Sequence, residues 1–86
     1  MTNTVRYFGR LRETFGVDTE IIAHGASAAT LGALLTVLRT RHGERADALL
    51  SPRIRVSIDG EILGFDPATA LRDGCEVAFL PPVTGG

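Results

Sequence analysis

The residues with the clearest chemical potential stand at the end of the printed sequence, which reads Pro81-Pro82-Val83-Thr84-Gly85-Gly86. As written, Gly86 carries the α-carboxylate, a poor acyl donor until adenylation supplies it with a leaving group. Because the two glycines lack side chains, they can enter a narrow active site. The prolines before them stiffen the approach, and six extended residues span roughly 20 Å. We expect residues 81–86 to form an extended tail after a domain of residues 1–80, with the Gly86 carboxylate as its reactive group.

Side chains elsewhere in the sequence offer little chemistry. The single cysteine, Cys75, excludes an internal disulfide and a cysteine-rich zinc site, and we interpret it as a residue at the start of a strand. His24 and His42 have no partner at metal-ligand spacing, and both are predicted to be surface residues. All nine basic residues are arginines, so the chain has no lysine for a Schiff base or an isopeptide bond. We expect no bound metal or cofactor, and no catalysis by the isolated chain.

Length and charge narrow the class of protein. A chain of 86 residues makes one small domain with a modest core. Its net charge of −1 lacks the positive excess typical of nucleic-acid binding. No stretch approaches the roughly 18 apolar residues that a membrane-spanning helix needs. We therefore expect a cytoplasmic protein that binds neither nucleic acid nor membrane.

One long helix is predicted over residues 30–42. Its apolar stripe has the spacing i, i+3, i+4, i+7, formed by Leu31, Leu34, Leu35 and Leu38. Thr30 or Ser27 can cap its start, and Gly43 can end it. A short helical turn is predicted at residues 10–15, between two glycines.

Five strands are predicted around this helix, at residues 4–8, 19–23, 54–58, 61–63 and 75 or 76 to 80. In the third, Ile54, Val56 and Ile58 alternate with Arg55 and Ser57, which indicates one buried face. Asp59-Gly60 is typical of a hairpin turn. The order β-β-α-β-β-β with one long helix predicts an α+β fold. Its compact solution, with the last strand beside the first, is the β-grasp or ubiquitin-like roll.

Strand alternation leaves two large apolar residues on the outer face of this sheet. If Val5 and Tyr7 face the core with Val77 and Phe79, then Phe8 and Leu80 point away from it. In neighbouring parallel strands these two residues lie side by side, at the end of the sheet from which the tail leaves. An exposed apolar patch beside an exposed tail predicts a docking surface.

Two blocks of the sequence resemble a known family. Residues 5–13 read VRYFGRLRE, and residues 71–86 read LRDGCEVAFLPPVTGG. Together with the leucine-striped helix, they resemble the small, sulfur-carrying subunit of molybdopterin synthase, of the MoaD type in the MoaD/ThiS ubiquitin-like family. The similarity covers almost the whole chain, and the second block is its specific part. The family more often has an acidic residue at the position of Cys75.

The resemblance implies a carrier cycle. A partner adenylating enzyme, using ATP and Mg²⁺, activates Gly86, and sulfur from a persulfide donor replaces AMP to leave a thiocarboxylate. The tail, including Pro81, Pro82, Val83, Thr84 and Gly85, then threads into the large synthase subunit, where sulfur reaches cyclic pyranopterin monophosphate. The resemblance also implies a heterotetramer, two small subunits on a dimer of large ones. It places partner contacts at Phe8, Arg12, Ile62 and Leu80.

Two alternatives remain open from the sequence. The same thiocarboxylate chemistry serves other pathways, namely cysteine formation, thiamine synthesis, tRNA thiolation and protein conjugation. The second alternative is a non-catalytic β-grasp interaction module with a passive tail. Removing the terminal glycines distinguishes a carrier from an interaction module, because only a carrier depends on them.

Overall fold

The computed structural model describes residues 1–25 and 29–82. Its strands are β1 (Thr2–Tyr7), β2 (Thr19–Ala23), β3 (Arg55–Ile58), β4 (Glu61–Leu63) and β5 (Glu76–Leu80). Its helices are α1 (Arg10–Phe15), α2 (Leu31–His42) and a 3₁₀ helix (Gly43–Leu50). None of the helices in these residues is both long and apolar enough to cross a bilayer.

The five strands form one mixed sheet in the order β2-β1-β5-β3-β4. β1 and β5 are parallel, with Val5 opposite Val77 and Tyr7 opposite Phe79. The other neighbours are antiparallel. With one long helix and the last strand beside the first, this is the β-grasp roll, and the predicted fold is confirmed. The β3–β4 hairpin turns at Asp59-Gly60, where both residues have positive φ (50° and 87°), as a type I′ turn requires.

The core lies between α2 and the inner face of the sheet. Leu31, Leu34 and Leu38, three residues of the predicted stripe, are at most 1% exposed. They belong to the same buried cluster as the inward-facing residues of β1 and β5. Tyr7 stacks on Phe15 with ring centroids 4.2 Å apart. Because full burial of such a side chain contributes roughly 1.5–3 kcal/mol, this face of the sheet carries most of the stability of the domain.

The loop after β4, to which the sequence assigned no role, supports the start of α2. The Thr30 hydroxyl accepts from Ala33 N at 3.1 Å, as an N-cap residue should. The carbonyls of Thr69 and Pro67 accept from Leu31 N and Gly32 N, at 2.9 and 3.0 Å. The loop therefore satisfies helix-start N–H groups that have no partner within the helix. Ser27, the other predicted cap, lies outside the described residues.

The sequence pattern did not reveal the 3₁₀ helix at Gly43–Leu50. Its buried residues are only Ala46 and Leu49, too few to produce a helical stripe. It forms because Gly43 turns the chain at φ 66° and Leu49 then packs into the core. The bounds of β1 also differ from the prediction. It starts at Thr2 rather than residue 4, since Thr2 pairs with Ala23.

The prediction that both histidines are surface residues is wrong. His42 is only 13% exposed at its side chain, and its Nε2 lies 2.7 Å from Glu20 Oε2. His24 is half-buried, with Nε2 2.6 Å from Oδ1 of the fully buried Asn3. Both partners lie about twenty residues away in the chain, so no local pattern indicated the contacts. Within residues 1–25 and 29–82, no three His, Cys, Asp or Glu side chains are grouped to hold a metal ion.

Glu20 is the centre of a polar cluster beside the core. Its carboxylate accepts from Tyr7 Oη at 2.7 Å and from Arg41 Nη1 at 2.9 Å, in addition to its contact with His42. Burial by itself would raise the pKa of Glu20, but the hydrogen bonds from these three side chains outweigh it and hold the pKa below its usual value. The pKa of Tyr7 is raised, first by burial and then by the bond to Glu20. The cluster joins β1, β2 and the end of α2.

Candidate functional site

The root of the tail is fixed against the turn after β1. Phe8 N donates to the carbonyl of Phe79 at 3.2 Å, which extends the β1–β5 ladder to the end of the sheet. Gly9 follows with φ +57°, a conformation that favours glycine. A Cβ added at Gly9 would lie 2.7 Å from Cγ of Pro81. Glycine is therefore required at position 9 both for its backbone angle and for close approach to the first residue of the tail.

The outer face of the sheet has one continuous row of side chains across four strands. Arg6 pairs with Ala78, Ala78 with Ser57, and Ser57 with Ile62. The alternation in β3 predicted that Ser57 would be exposed, but it is only 8% exposed, and Ala78 is 5% exposed. The prediction of a single buried face for β3 is wrong at this point, because Ser57 lies mid-sheet between two paired strands. Ile62 stands at the edge of the row and is 58% exposed.

Phe8 and Leu80 lie at the tail end of this outer face, and both are half-buried. The guanidinium carbons of Arg6 and Arg12 lie over the Phe8 ring, 5.1 and 5.7 Å from its centroid. Arg12 Nε also donates to the carbonyl of Tyr7 at 3.3 Å. These contacts hold the ring in place by cation–π attraction. We call the set Arg6, Phe8, Arg12, Ile62 and Leu80 the docking face.

Comparison with known proteins decides the family. The ThiS family model matches residues 5–86. The chain belongs to the ThiS family. A curated relative from Escherichia coli (strain K12), the "Molybdopterin synthase sulfur carrier subunit", is 35% identical over 82 residues, which cover 95% of this chain and 96% of the relative. The resemblance drawn from the sequence is confirmed.

Solved structures of similar proteins share the fold of this ThiS-family chain. SAMP1 from Haloferax volcanii superposes with a TM-score of 0.80 and 29% identity over the full length of both chains. A chain in the "Protein-protein complex of subunit 1 and 2 of Molybdopterin-converting factor" from Helicobacter pylori superposes with a TM-score of 0.70 and 27% identity, again over the full length of both. The second structure is of a complex between two different subunits.

The structure of this ThiS-family chain brings together some of the predicted site residues. Phe8 and Arg12 are in contact, and Leu80 and Ile62 share their face of the sheet. Pro81 and Pro82 leave the sheet directly after β5. Four predicted residues lie outside the described residues, namely Val83, Thr84, Gly85 and Gly86. The roles assigned to all of these positions stay predictions.

Gly9 is a site residue that no motif in the sequence revealed. A glycine directly after a strand is common, and only the distance to Pro81 shows that position 9 supports the tail. The available signal was that VRYFG and FLPP end two strands predicted to be parallel neighbours. That pairing alone places position 9 close to position 81.

Cys75 stands at the other end of β5, away from the tail. It is 4% exposed, and its Sγ accepts a hydrogen bond from Asn3 Nδ2 at 3.1 Å. Burial raises the pKa of the thiol, so it remains protonated near neutral pH. A protonated, buried thiol is a poor nucleophile. β5 begins at Glu76, so Cys75 directly precedes the strand rather than starting it.

Proposed function

We propose that this protein is a sulfur carrier of molybdopterin synthesis in the cytoplasm. Its C-terminal Gly86 is adenylated, converted to a thiocarboxylate, and donates sulfur to cyclic pyranopterin monophosphate. The observation that carries the proposal is the fixed exit of the tail, with Pro81 packed on Gly9 beside the half-buried Phe8 and Leu80. The name of the Escherichia coli relative supports the choice of pathway.

The chemistry takes place at one carbon atom, the carbonyl carbon of Gly86. The carboxylate attacks the α-phosphorus of ATP, which the adenylating enzyme binds with Mg²⁺, and pyrophosphate leaves. A persulfide sulfur then attacks the acyl-adenylate and AMP leaves. A thiol reduces the resulting acyl disulfide to the thiocarboxylate. In the large synthase subunit the sulfur passes to the precursor and the carboxylate is restored, so two carriers supply the two sulfurs of the dithiolene.

This chain positions the Gly86 carboxylate in the active sites of its partners and does not itself catalyse the reactions. The docking face sets the orientation of the domain on each partner, and the tail of about six residues reaches roughly 20 Å into the partner's active site. Phe8, Leu80 and Ile62 supply the apolar contacts, and Arg12 supplies a charged one. The isolated chain is not expected to catalyse any step. With the large subunit it forms a heterotetramer of two small and two large subunits.

Protein conjugation is the second candidate function. It is favoured by the likeness to SAMP1, whose name describes a small archaeal modifier protein. Conjugation uses the same activated Gly86 but ends in a bond to a lysine of another protein. The chain has no lysine, so it cannot be its own acceptor. The fate of Gly86 in cells therefore distinguishes the two functions.

The test is intact-mass analysis of the chain after incubation with its adenylating enzyme, ATP, Mg²⁺ and a sulfide source. Replacement of the terminal oxygen by sulfur adds about 16 Da, which oxidation of Met1 or Cys75 also adds, so fragmentation must locate the change. We expect it at Gly86. A matched sample lacking Gly86 should show no gain. An unmodified Gly86 in the presence of an adenylating enzyme of proven activity would contradict the proposal and favour the passive interaction module.

A further inference from the structure

A groove of about 930 Å³ runs beside the root of the tail. Its walls come from the segment that joins the 3₁₀ helix to β3 and from the residues after β4, and Pro82 also lines it. Leu50 and Phe65 line it while remaining 59% and 43% exposed. Single exposed apolar residues are ordinary on a protein surface, but two that line one concave surface are typical of a binding site.

The charge that the described residues give this groove is positive. Among residues 1–25 and 29–82, its only ionisable lining residues are Arg53 and Arg55. Among residues 1–25 and 29–82, neither has a carboxylate within salt-bridge distance, whereas Arg6, Arg39, Arg41 and Arg72 each do. Two guanidinium groups that have no carboxylate partner in the described part of the chain, beside two apolar side chains, fit a ligand that is acidic and also apolar.

The groove is continuous with the docking face and the tail. Arg55 lies directly opposite Leu80 in the β3–β5 register, and Pro82 belongs to the tail. A partner that covers Leu80 and encloses the tail therefore lies next to the groove. This continuity makes the occupant a part of the protein that receives the tail.

We propose that the groove is a second docking site, filled by an acidic segment with one large apolar side chain from the large subunit of molybdopterin synthase. The inference rests on the proposed function. The large subunit is chosen over the adenylating enzyme because it holds the carrier as a subunit, whereas the adenylating enzyme must release it. A stable interface buries about 800 Å² on each partner, roughly 15% of the 5202 Å² accessible here. Phe8 and Leu80 are already half-buried, so the docking face needs the additional area of the groove.

The test measures two quantities on the full chain and its variants. Calorimetric titration with the purified large subunit gives Kd, and pyrophosphate release gives the rate of adenylation by the activating enzyme. Arg53→Glu with Arg55→Glu is compared with Arg45→Glu with Arg72→Glu, the same charge change at two exposed arginines outside the groove. Leu50→Ser is compared with Ile21→Ser, an apolar residue of similar exposure (64%) on the edge strand β2.

We expect the groove double variant to weaken Kd for the large subunit by about 10- to 100-fold. Leu50→Ser should weaken it about tenfold, the effect of losing one buried leucine contact. Both control variants should remain within about twofold of the wild type, and adenylation should be unchanged throughout. This pattern would support the proposal.

Each other pattern would overturn it. Unchanged Kd values would show that the groove is not part of the interface. Loss of adenylation alone would assign the groove to the activating enzyme. Loss of both adenylation and binding to the large subunit would assign it to both partners. Equal loss in the control variants would indicate a general effect of charge. If the wild-type chain does not bind the large subunit at all, the proposed function fails together with this inference, and that result is distinguishable from an unchanged Kd in the variants.

Discussion

The two faces of the sheet differ in what covers them. On the inner face, Val5, Tyr7, Val77 and Phe79 are at most 1% exposed and share one core with the leucines of α2. On the outer face, the middle of the sheet carries the small residues Ser57 and Ala78, with larger side chains around them. The inner face has its partner within the chain. The outer face is flat at its centre, apolar and cationic at the end where the tail leaves, and suited to a partner from another chain.

The two faces should also differ in how a substitution changes the free energy of unfolding. Removing an inner side chain leaves a cavity and lowers the free energy of unfolding. Removing an outer side chain or part of the tail leaves the core intact and affects only partners. Stability and function should therefore separate by face, and substitutions can be chosen to break or to sharpen this separation.

The largest effect is expected from deleting Gly86 alone. Sulfur transfer should fall to background, because the new terminal carboxylate is one residue short of the activating site. The melting temperature should stay within about 1 °C, since a terminal residue beyond the sheet adds little to the core. Thermal unfolding measures the melting temperature, and a molybdopterin-formation assay measures sulfur transfer. Retained transfer would show that Gly86 is not the reactive residue.

Leu38→Ala should cause a large loss of stability in the core that covers the inner face. Leu38 is fully buried, so we expect a decrease of about 2–5 kcal/mol in the free energy of unfolding. Leu50→Ala is the matched control, because Leu50 is 59% exposed and should cost about 0.5 kcal/mol or less. Urea denaturation measures both. Equal losses would contradict the assignment of Leu38 to the core and Leu50 to the surface.

Gly9→Ala tests the support of the tail at Pro81, and Gly43→Ala is its matched control. The two glycines have similar backbone angles, φ 57° and ψ −134° against φ 66° and ψ −137°. Each alanine should cost about 1–3 kcal/mol of stability, because glycine is almost the only residue that adopts these backbone angles. Only the methyl group at position 9 would meet Pro81, because nothing lies within 4 Å of a Cβ at position 43. We therefore expect Gly9→Ala alone to slow sulfur transfer, by about tenfold. Equal transfer rates in the two variants would refute the role of Gly9.

A smaller effect is expected from the pH dependence of Glu20. Its pKa in the folded protein is below the ordinary 4.5, so its stabilising contribution is complete above that pH and is lost as the pH falls through the lowered value. Glu20→Gln should flatten the decline of stability with acid below about pH 4.5. Glu44→Gln, at an exposed carboxylate, should retain the decline seen in the wild type. Denaturant titrations at pH 7 and at acid pH measure the free energy of unfolding of each protein. If stability declines equally with acid in the wild type, Glu20→Gln and Glu44→Gln, the stabilising role of the Glu20 carboxylate is contradicted.

The smallest effect is expected from Cys75→Ala. The thiol is buried, protonated and at the opposite end of β5 from the tail. The rate of sulfur transfer should therefore equal that of the wild type, even though a hydrogen bond from Asn3 is lost. A single-turnover transfer assay with preformed thiocarboxylate is the measurement. A slower rate at equal folded fraction would assign a relay role to the thiol.

Much of the fold was predictable because its signals are local. The leucine stripe and Thr30 predicted α2, and Asp59-Gly60 predicted the hairpin turn. Strand parity also predicted that Phe8 and Leu80 would point away from the core, because alternation is a property of each strand by itself.

The features that escaped prediction depend on contacts between distant parts of the chain. Glu20 meets His42 across the fold, Gly9 meets Pro81, and the groove with Arg53 forms only when β3 and the segment after β4 are in place. Apart from the predicted pairing of the first and last strands, which brings position 9 near position 81, the sequence offers no period or motif for these contacts. Among the predicted partner contacts, Phe8 and Leu80 came from strand parity as well as from the family resemblance, and Arg12 and Ile62 from the resemblance alone. The support that holds the tail became visible only in the structure.

The measurement that tests the central claim most directly uses the thiocarboxylated chain, the large subunit and cyclic pyranopterin monophosphate in a single turnover. Molybdopterin formed is quantified together with the terminal group of the carrier by mass spectrometry. We expect two Gly86 thiocarboxylates to return to carboxylates for each molybdopterin formed, and we expect the chain lacking Gly86 to support no molybdopterin formation. Molybdopterin formation without loss of the thiocarboxylate, or loss of the thiocarboxylate without product, would contradict it.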